Sequence, residues 1–470
     1  MPYRSLRDFL AGLQERGLLH TITIEVDWDQ EIGSIMRKIF DQRGPAVLFN
    51  KVRDSAFPLV SGAMDTYERY ALGIGAEPNL RSIIKRTLRA QAEPIPPMLV
   101  TGGPCKQNVD RGREVDLFKF PSPRWHRLDG GRYLGTLGVM IMRDPETGTR
   151  NAAIYRGQLL GRDKMGLQLT QQAGIILNKY QAMGKPTPLA IALGVEPCVL
   201  AAATVKAAYG VDELGIAGGF RGEPIDLVKC ETVDVEVPAS SEIILEGEVS
   251  PDAKKWEEEG PFGEFSGYYG GAKVPRPTMH VSAVTYRDRP ILHGTLEGGP
   301  PNESNTLRTI GSSAGIWDRL IRTGVPGLKE VYVTEMGCAE FTCIASLERH
   351  YYYGNARRLI QAIFATSNVK WAIVVDGDID IYNSEQVEWA LATRVQPHRD
   401  VIITPNGDPG LALDPAIPPE DRTHPNAHTS RIGIDATVHY KGFEFPPIAR
   451  PSEDEMAKVS ARWREYGFPQ

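Results

Sequence analysis

Between residues 101 and 296 the chain falls into short β-rich runs, at 133–142, 151–159, 189–194, 227–237, 242–249 and 278–287. Turn signals such as Asp129-Gly-Gly131 and Pro145-Glu-Thr-Gly148 separate them. Many short strands at this spacing predict a β-barrel or sandwich, here with a helix inserted over 167–183. The flanks read differently. Leu6, Phe9, Leu10 and Leu13 recur at helical spacing over 4–18, with Ser5 as N-cap and Gly17 as stop. A strand over 19–26, a helix over 30–41, a strand over 45–49 and a helix over 80–92 follow, and Glu93-Pro-Ile-Pro-Pro97 makes a stiff connector. Beyond the β-rich region, a helix over 312–323 leads to strands at 331–333 and 371–376, with a helix over 355–365 between them. The last element is a helix over 451–468, capped by Ser452 and acidic in its first turn at Glu453, Asp454 and Glu455. Alternation of this kind argues α/β at both ends. The expected fold class is α+β in three parts, at 1–110, 111–305 and 306–470.

With 470 residues the chain has room for about three domains. A net charge of −6, with no Lys/Arg run, gives no call for a polyanionic partner, and no nucleic-acid partner is expected. No run of 18 apolar residues occurs, so no membrane span is expected. Basic and acidic residues within the first 13 positions are unlike the apolar core of an export signal. Cys105, Cys198, Cys230, Cys338 and Cys343 are odd in number and lack CxxC spacing, which predicts reduced, mostly core residues in a cytoplasmic protein.

Two carboxylates stand five positions apart in Glu259-Gly-Pro-Phe-Gly-Glu264. Pro261 with Gly260 and Gly263 marks a tight loop, which can aim both acids at one point. Such a pair suits proton transfer where burial or a cation separates the two groups; read alone, it is more often an acidic surface turn. Asn151-Ala-Ala-Ile-Tyr-Arg156 is expected on one strand, with Arg156 on the face of Ala152 and Ile154 and therefore in need of a carboxylate partner, unless it lies at an exposed strand end. Tyr209-Gly-Val-Asp-Glu213 offers carboxylates that could join Asn151 around a hard metal, or simply cap a helix. Asp376-Gly-Asp-Ile-Asp380 has the acidic spacing of a calcium loop but lacks the later ligands, so a strand end and turn is expected. His126, His280 and His293 are dispersed, and no GxGxxG, Walker A, HExxH or GxSxG motif occurs.

Taken in order, Phe120-Pro-Ser-Pro-Arg-Trp-His126, Asp129-Gly-Gly-Arg-Tyr133, Asn151 to Arg156, Gly219-Phe-Arg-Gly-Glu-Pro224, Glu242-Ile-Ile-Leu-Glu-Gly247, Glu259 to Glu264, Val374 to Asp380 and Gly433-Ile-Asp-Ala-Thr437 resemble the UbiD family of prenylated-FMN-dependent decarboxylases. The resemblance covers nearly the whole chain. It implies an N-terminal α/β domain, a central split β-barrel of the flavin-reductase type and a C-terminal α/β oligomerisation domain. It further implies Arg156, Glu259 and Glu264 as the catalytic set, with Glu264 delivering the proton. Flavin contacts would fall on Asn151, Ile154, Tyr155, Arg156, Gln171, Ala203, Thr204, Val205 and Lys370, and substrate contacts on Asn305, Leu307 and Arg308. Manganese or another divalent cation, together with potassium, would compensate the flavin phosphate. Its ligands would be Asn151, Glu213 and Gln172, the last standing where many relatives have His. A flavin prenyltransferase would supply the cofactor to a homo-oligomer, dimer or hexamer, acting on a small carboxylic acid. Two alternatives remain at this stage: an oxidoreductase using ordinary FMN, and a non-catalytic flavin-binding subunit.

Overall fold

The computed structural model describes residues 2–422, 427–439 and 441–469. Near the N-terminus, helix Leu6–Glu15 starts where the Ser5 hydroxyl accepts from the Asp8 N–H (3.1 Å) and buries Leu6, Phe9, Leu10 and Leu13. Helices Glu31–Asp41 and Leu80–Ala92 and strands Leu19–Val26 and Ala46–Val52 fall within a residue or a few of their expected positions. The N-terminal sheet takes its fourth strand, Leu292–His293, from the far end of the β-rich region, in parallel with Leu59–Ser61.

The central sheet runs Arg150–Ile154, Val139–Arg143, Thr187–Leu193, Ile243–Val249, Thr278–Tyr286, Lys164–Leu167, Gly157–Gly161, and every pair is antiparallel. Its first and last strands are consecutive in the chain, with only Tyr155 and Arg156 between them. Two residues span less than about 8 Å even when fully extended. The sheet must therefore curl until its two edges meet at Arg156, which makes it a split barrel. The expected single strand over 151–159 is thus two strands, and Arg156 sits in the break instead of on a strand face. Likewise 227–237 is a hairpin of Asp226–Lys229 and Glu236–Pro238, and the inserted helix begins only at Gln171, since Lys164–Leu167 is a strand.

The C-terminal sheet has the order Leu328–Val333, Thr342–Leu347, Trp371–Asp376, His428–Ala436, Val401–Pro409, parallel across its three middle strands. Trp371–Asp376 is buried at every position after Trp371, as a strand covered on both faces must be. The helix expected at 312–323 is a 20-residue helix, Glu303–Arg322. Its early turns escaped the apolar pattern because they bury the polar residues Glu303, Asn305, Thr306 and Thr309, the first three tied by side-chain hydrogen bonds that periodicity does not register. Glu303, for example, accepts from the Gly62 and Met64 N–H groups (both 2.8 Å) and meets His293 Nε2 (3.0 Å). The same helix sets the 203–207 loop: a Cβ on Gly311 would lie 2.1 Å from the Thr204 carbonyl oxygen. The last helix, Glu453–Ala461, is capped by Ser452 as expected but is shorter.

Candidate active site

Curling of the barrel brings Arg156 against the turn after strand Glu257–Glu259. Arg156 Nε donates to Glu259 Oε1 (2.9 Å) and Nη2 to Glu259 Oε2 (2.8 Å), a bidentate pair, while Nη1 donates to Glu264 Oε1. The three side chains are 8%, 0% and 6% exposed, so the charges meet in a medium where each hydrogen bond counts for more than in water. Glu259 also accepts from the Tyr133 hydroxyl (3.0 Å). Burial holds that hydroxyl well above the ordinary tyrosine pKa, and Glu259 raises it further, so Tyr133 remains a donor. Phe262 closes the floor, 4.3 Å from the Tyr133 ring and 5.3 Å from the guanidinium carbon. The result is asymmetric. Glu259 is saturated with donors, whereas Glu264 meets the guanidinium through one oxygen.

The loop that aims these acids is fixed from outside its own sequence. Asp129 Oδ1 accepts from Gly263 N–H (3.0 Å) and Oδ2 from His126 N–H (2.8 Å). Gly260 N–H donates to Gln158 Oε1 (2.7 Å) and Gly130 N–H to the Pro261 carbonyl (2.8 Å). A Cβ on Gly263 would lie 2.6 Å from His126 Nδ1, and one on Gly270 2.5 Å from Glu264 Cγ, so both glycines are demanded by close approach. Sequence reading saw Asp129 only as a turn marker and missed Gln158 and Tyr133. The resemblance had quoted Asp129 and Tyr133 in one block, which was the available signal.

Asn151 and Glu213 meet across strand Arg150–Ile154 and helix Glu213–Arg221. Asn151 Nδ2 donates to Glu213 Oε1 (3.1 Å) and Ala152 N–H to Oε2 (2.8 Å). Asp212 is the helix cap, accepting from Leu214 N–H, which frees Glu213 for another role. Glu213 is 2% exposed, and burial pushes its carboxyl up to about 7. Asn151 Oδ1 is buried without a hydrogen-bond partner. An uncompensated acid beside an orphaned amide oxygen fits a hard divalent cation. Gln172 donates through Nε2 to the Ala207 carbonyl (3.2 Å), on the loop that leads to Glu213. Ala173 N–H meets the Tyr155 hydroxyl at 3.4 Å, tying helix Gln171–Ala182 to the barrel break. Thr170 gives that helix no side-chain cap, so its first-turn N–H groups suit an anionic group such as a phosphate.

Other expected contacts are placed less directly. Ala203 and Val205 are buried, and the Thr204 hydroxyl is turned onto the Ala201 carbonyl (2.8 Å). Lys370 pairs with Asp414 (2.9 Å), its ammonium 5.5 Å from the Phe341 ring. Arg308 lies over Phe265 at 4.8 Å, with Nη2 3.5 Å from Glu297, while Phe265 is 5.9 Å from Phe341. Asn305 donates to the Gly298 carbonyl (3.0 Å), its Oδ1 left buried without a partner, and Leu307 is fully buried in the core.

The split barrel carries a buried carboxylate–guanidinium–carboxylate set, and three models of one carboxy-lyase family match the chain. They are the N-terminal domain (residues 10–87), the Rift-related domain (98–300) and the C-terminal domain (305–436) of 3-octaprenyl-4-hydroxybenzoate carboxy-lyase. The chain belongs to the UbiD family. It is 33% identical to the pyrrole-2-carboxylic acid decarboxylase of Pseudomonas aeruginosa, over 98% of each chain. The fold is similar to an evolved dimeric form of the UbiD-class enzyme HmfF from Pelotomaculum thermopropionicum in complex with prenylated FMN (35% identity, 96% and 98% coverage, TM-score 0.83). It is also similar to the closed form of Sedimentibacter hydroxybenzoicus vanillic acid decarboxylase (30% identity, 99% of each chain, TM-score 0.89). The chain is accordingly a decarboxylase of the carboxy-lyase class.

Proposed function

We propose that this chain releases carbon dioxide, reversibly and without oxidation, from an aromatic, heteroaromatic or α,β-unsaturated carboxylic acid, with prenylated FMN as cofactor. The observation that carries this reading is Arg156 gripping buried Glu259 with two hydrogen bonds and Glu264 with one. When bound, prenylated flavin supplies the sink for the electron pair left as carbon dioxide departs. Glu259, held by Arg156 and Tyr133, orients the guanidinium. Glu264, engaged through one oxygen, turns to give its proton to the carbon that loses the carboxylate, and recovers one from solvent. The balance is a carboxylate and a proton in, the protonated product and carbon dioxide out; carboxylation is the same path at high carbon dioxide.

Asn151, Gln172 and Glu213 would hold manganese or another divalent cation, with potassium nearby, against the flavin phosphate. Ile154, Tyr155, Gln171 and the 203–205 backbone would line the flavin, with Lys370 as a more remote cation. Asn305, Leu307 and Arg308 would form the substrate end, where the orphaned Asn305 oxygen and the Arg308 guanidinium favour a polar substituent. The relatives named for pyrrole-2-carboxylic and vanillic acids support a ring-borne carboxylate. A flavin prenyltransferase would supply the cofactor, the domains would divide near 110 and 305, and the protein would work as a homo-oligomer. Five unpaired cysteines favour the reducing cytoplasm. Among the described residues no helix is long and apolar enough to cross a membrane.

The test is carbon dioxide release from cinnamic, hydroxybenzoic, furoic, pyrrole and indole carboxylic acids by protein co-expressed with a flavin prenyltransferase, beside Glu264→Gln. Release that needs the prenyltransferase and disappears in the variant is expected. Release that survives Glu264→Gln would overturn the assignment of the proton donor, and NAD(P)H consumption without carbon dioxide would overturn the reaction class.

A further inference from the structure

The parallel strands Thr342–Leu347, Trp371–Asp376 and His428–Ala436 all end on one edge of the C-terminal sheet, where open α/β sheets characteristically bind ligands. Each strand, or the turn after it, brings one side chain to a common point. His350 Nε2 lies 2.8 Å and His439 Nδ1 3.0 Å from Asp376 Oδ1. The three donor atoms lie within 4.8 Å of one another, although His350 and His439 are far apart in the chain. The other Asp376 oxygen, Oδ2, accepts from Arg394 Nη1 (3.0 Å) and Val438 N–H (2.8 Å), which fixes the carboxylate plane.

Asp376 opens the segment that resembles a calcium loop, and the structure removes that reading. Asp378 is taken by Arg394 (3.0 and 2.7 Å) and Asp380 by Arg81 (3.0 Å), so a set of hard carboxylates is not available. What remains is two imidazole nitrogens and one carboxylate oxygen, the donor set of an open zinc-class site. Ligand bonds of about 2.0–2.2 Å place tetrahedral donors roughly 3.3 Å apart, close to the two nitrogen–oxygen separations here. The imidazole rings are stacked, with centroids 4.4 Å apart and planes at 20°. A cation lying in both ring planes needs His439 to tilt outward. That side chain is 54% exposed, whereas His350 is 3% and Asp376 7% exposed, so the moving ligand is the one with room to move. A surface cleft lined in part by His350, His439, Asn355, Thr437 and Lys441 borders the cluster.

We propose that His350, Asp376 and His439 bind a divalent transition-metal cation of the zinc class, clipping the segment after strand His428–Ala436 to the C-terminal sheet. The site shares no residue with the Arg156–Glu259–Glu264 set or with Asn151, Gln172 and Glu213. Its test uses full-length metal-free protein made without flavin, titrated with Zn2+ against a chromophoric chelator and, separately, with Co2+. Wild type and Glu213→Gln should each take up one Zn2+ at this site. His439→Ala should weaken that uptake by about a hundredfold or more, the upper end of what even outer-shell losses cause. Co2+ should give the visible bands of nitrogen-ligated, low-coordinate cobalt in wild type and lose them in His439→Ala. His439 is exposed enough for the variant to fold, which its melting curve would confirm. No uptake by wild type, equal uptake by His439→Ala, or uptake abolished by Glu213→Gln alone would overturn the proposal.

Discussion

Replacing Arg156 by Gln tests whether one guanidinium holds two buried acids together. Arg156 makes three charge-assisted contacts, and the carboxylates it serves are 0% and 6% exposed. Deleting one partner of a buried pair costs about 3–5 kcal/mol, chiefly through the uncompensated charge left behind. Here Glu259 loses its cation and the Glu264 carboxyl group its donor at once. Arg276 is near enough to sense both Arg156 and Glu259 and offsets part of the loss, which leaves an expected destabilisation of roughly 4 kcal/mol. For a domain of about 200 residues that lowers the melting temperature by roughly 10 °C. The pH dependence has a definite sign. Without Arg156 the folded state disfavours carboxylate ionisation, so the variant is most stable below the ordinary carboxylate range and loses stability as pH rises. Calorimetry of wild type and variant at pH 5 and 8 should show the larger deficit at pH 8. Arg156→Lys keeps a charge but not the bidentate fork, and should recover most of the stability while remaining inactive. A variant melting within about 2 °C of wild type at pH 8, with no trend toward pH 5, would refute the argument that Arg156 compensates these charges.

Gly270→Ala drives a methyl group into Glu264 Cγ at 2.5 Å; decarboxylation, read by carbon dioxide release, should fall at least about tenfold. Glu196, paired with Arg221 at 3.1 Å, is pushed by burial from 4.5 up to about 7. Its stabilising contribution is therefore complete below 4.5 and lost as pH rises through 7, so wild type should lose stability over that window relative to Glu196→Gln, and parallel curves would refute this. Gln172→His would add a nitrogen to the proposed Asn151, Gln172 and Glu213 set, and metal analysis after dialysis should show tighter retention of softer divalent ions. Arg308→Ala should reduce turnover of polar-substituted acids more than plain ones, and an equal loss on both would remove Arg308 from substrate selection.

Much of the framework was legible because local rules carry it. Ser5 and Ser452 cap helices where the sequence says they should, and Trp371–Asp376 is a strand with the expected bounds. The loop nature of Glu259 to Glu264 followed from its Pro and Gly content. The helix Glu303–Arg322 was truncated in sequence reading because its buried face is polar, and the 151–159 run hid a break because strand propensity is continuous through Tyr155 and Arg156.

What the amino-acid sequence determined by itself was the set of elements, their textures, and two weak chemical signals: a paired-acid loop and an arginine in need of a partner. Only the tertiary structure decided that they meet. The barrel closes on the two residues between its first and last strands, which carries Arg156 to acids more than a hundred positions away. Asp129, Tyr133 and Gln158, distant from that loop in sequence, supply the hydrogen bonds that fix it. The His350–Asp376–His439 cluster is set by the same physics. Parallel strands bring their C-terminal ends together whatever the length of chain between them, and no spacing rule along a sequence records which ends become neighbours.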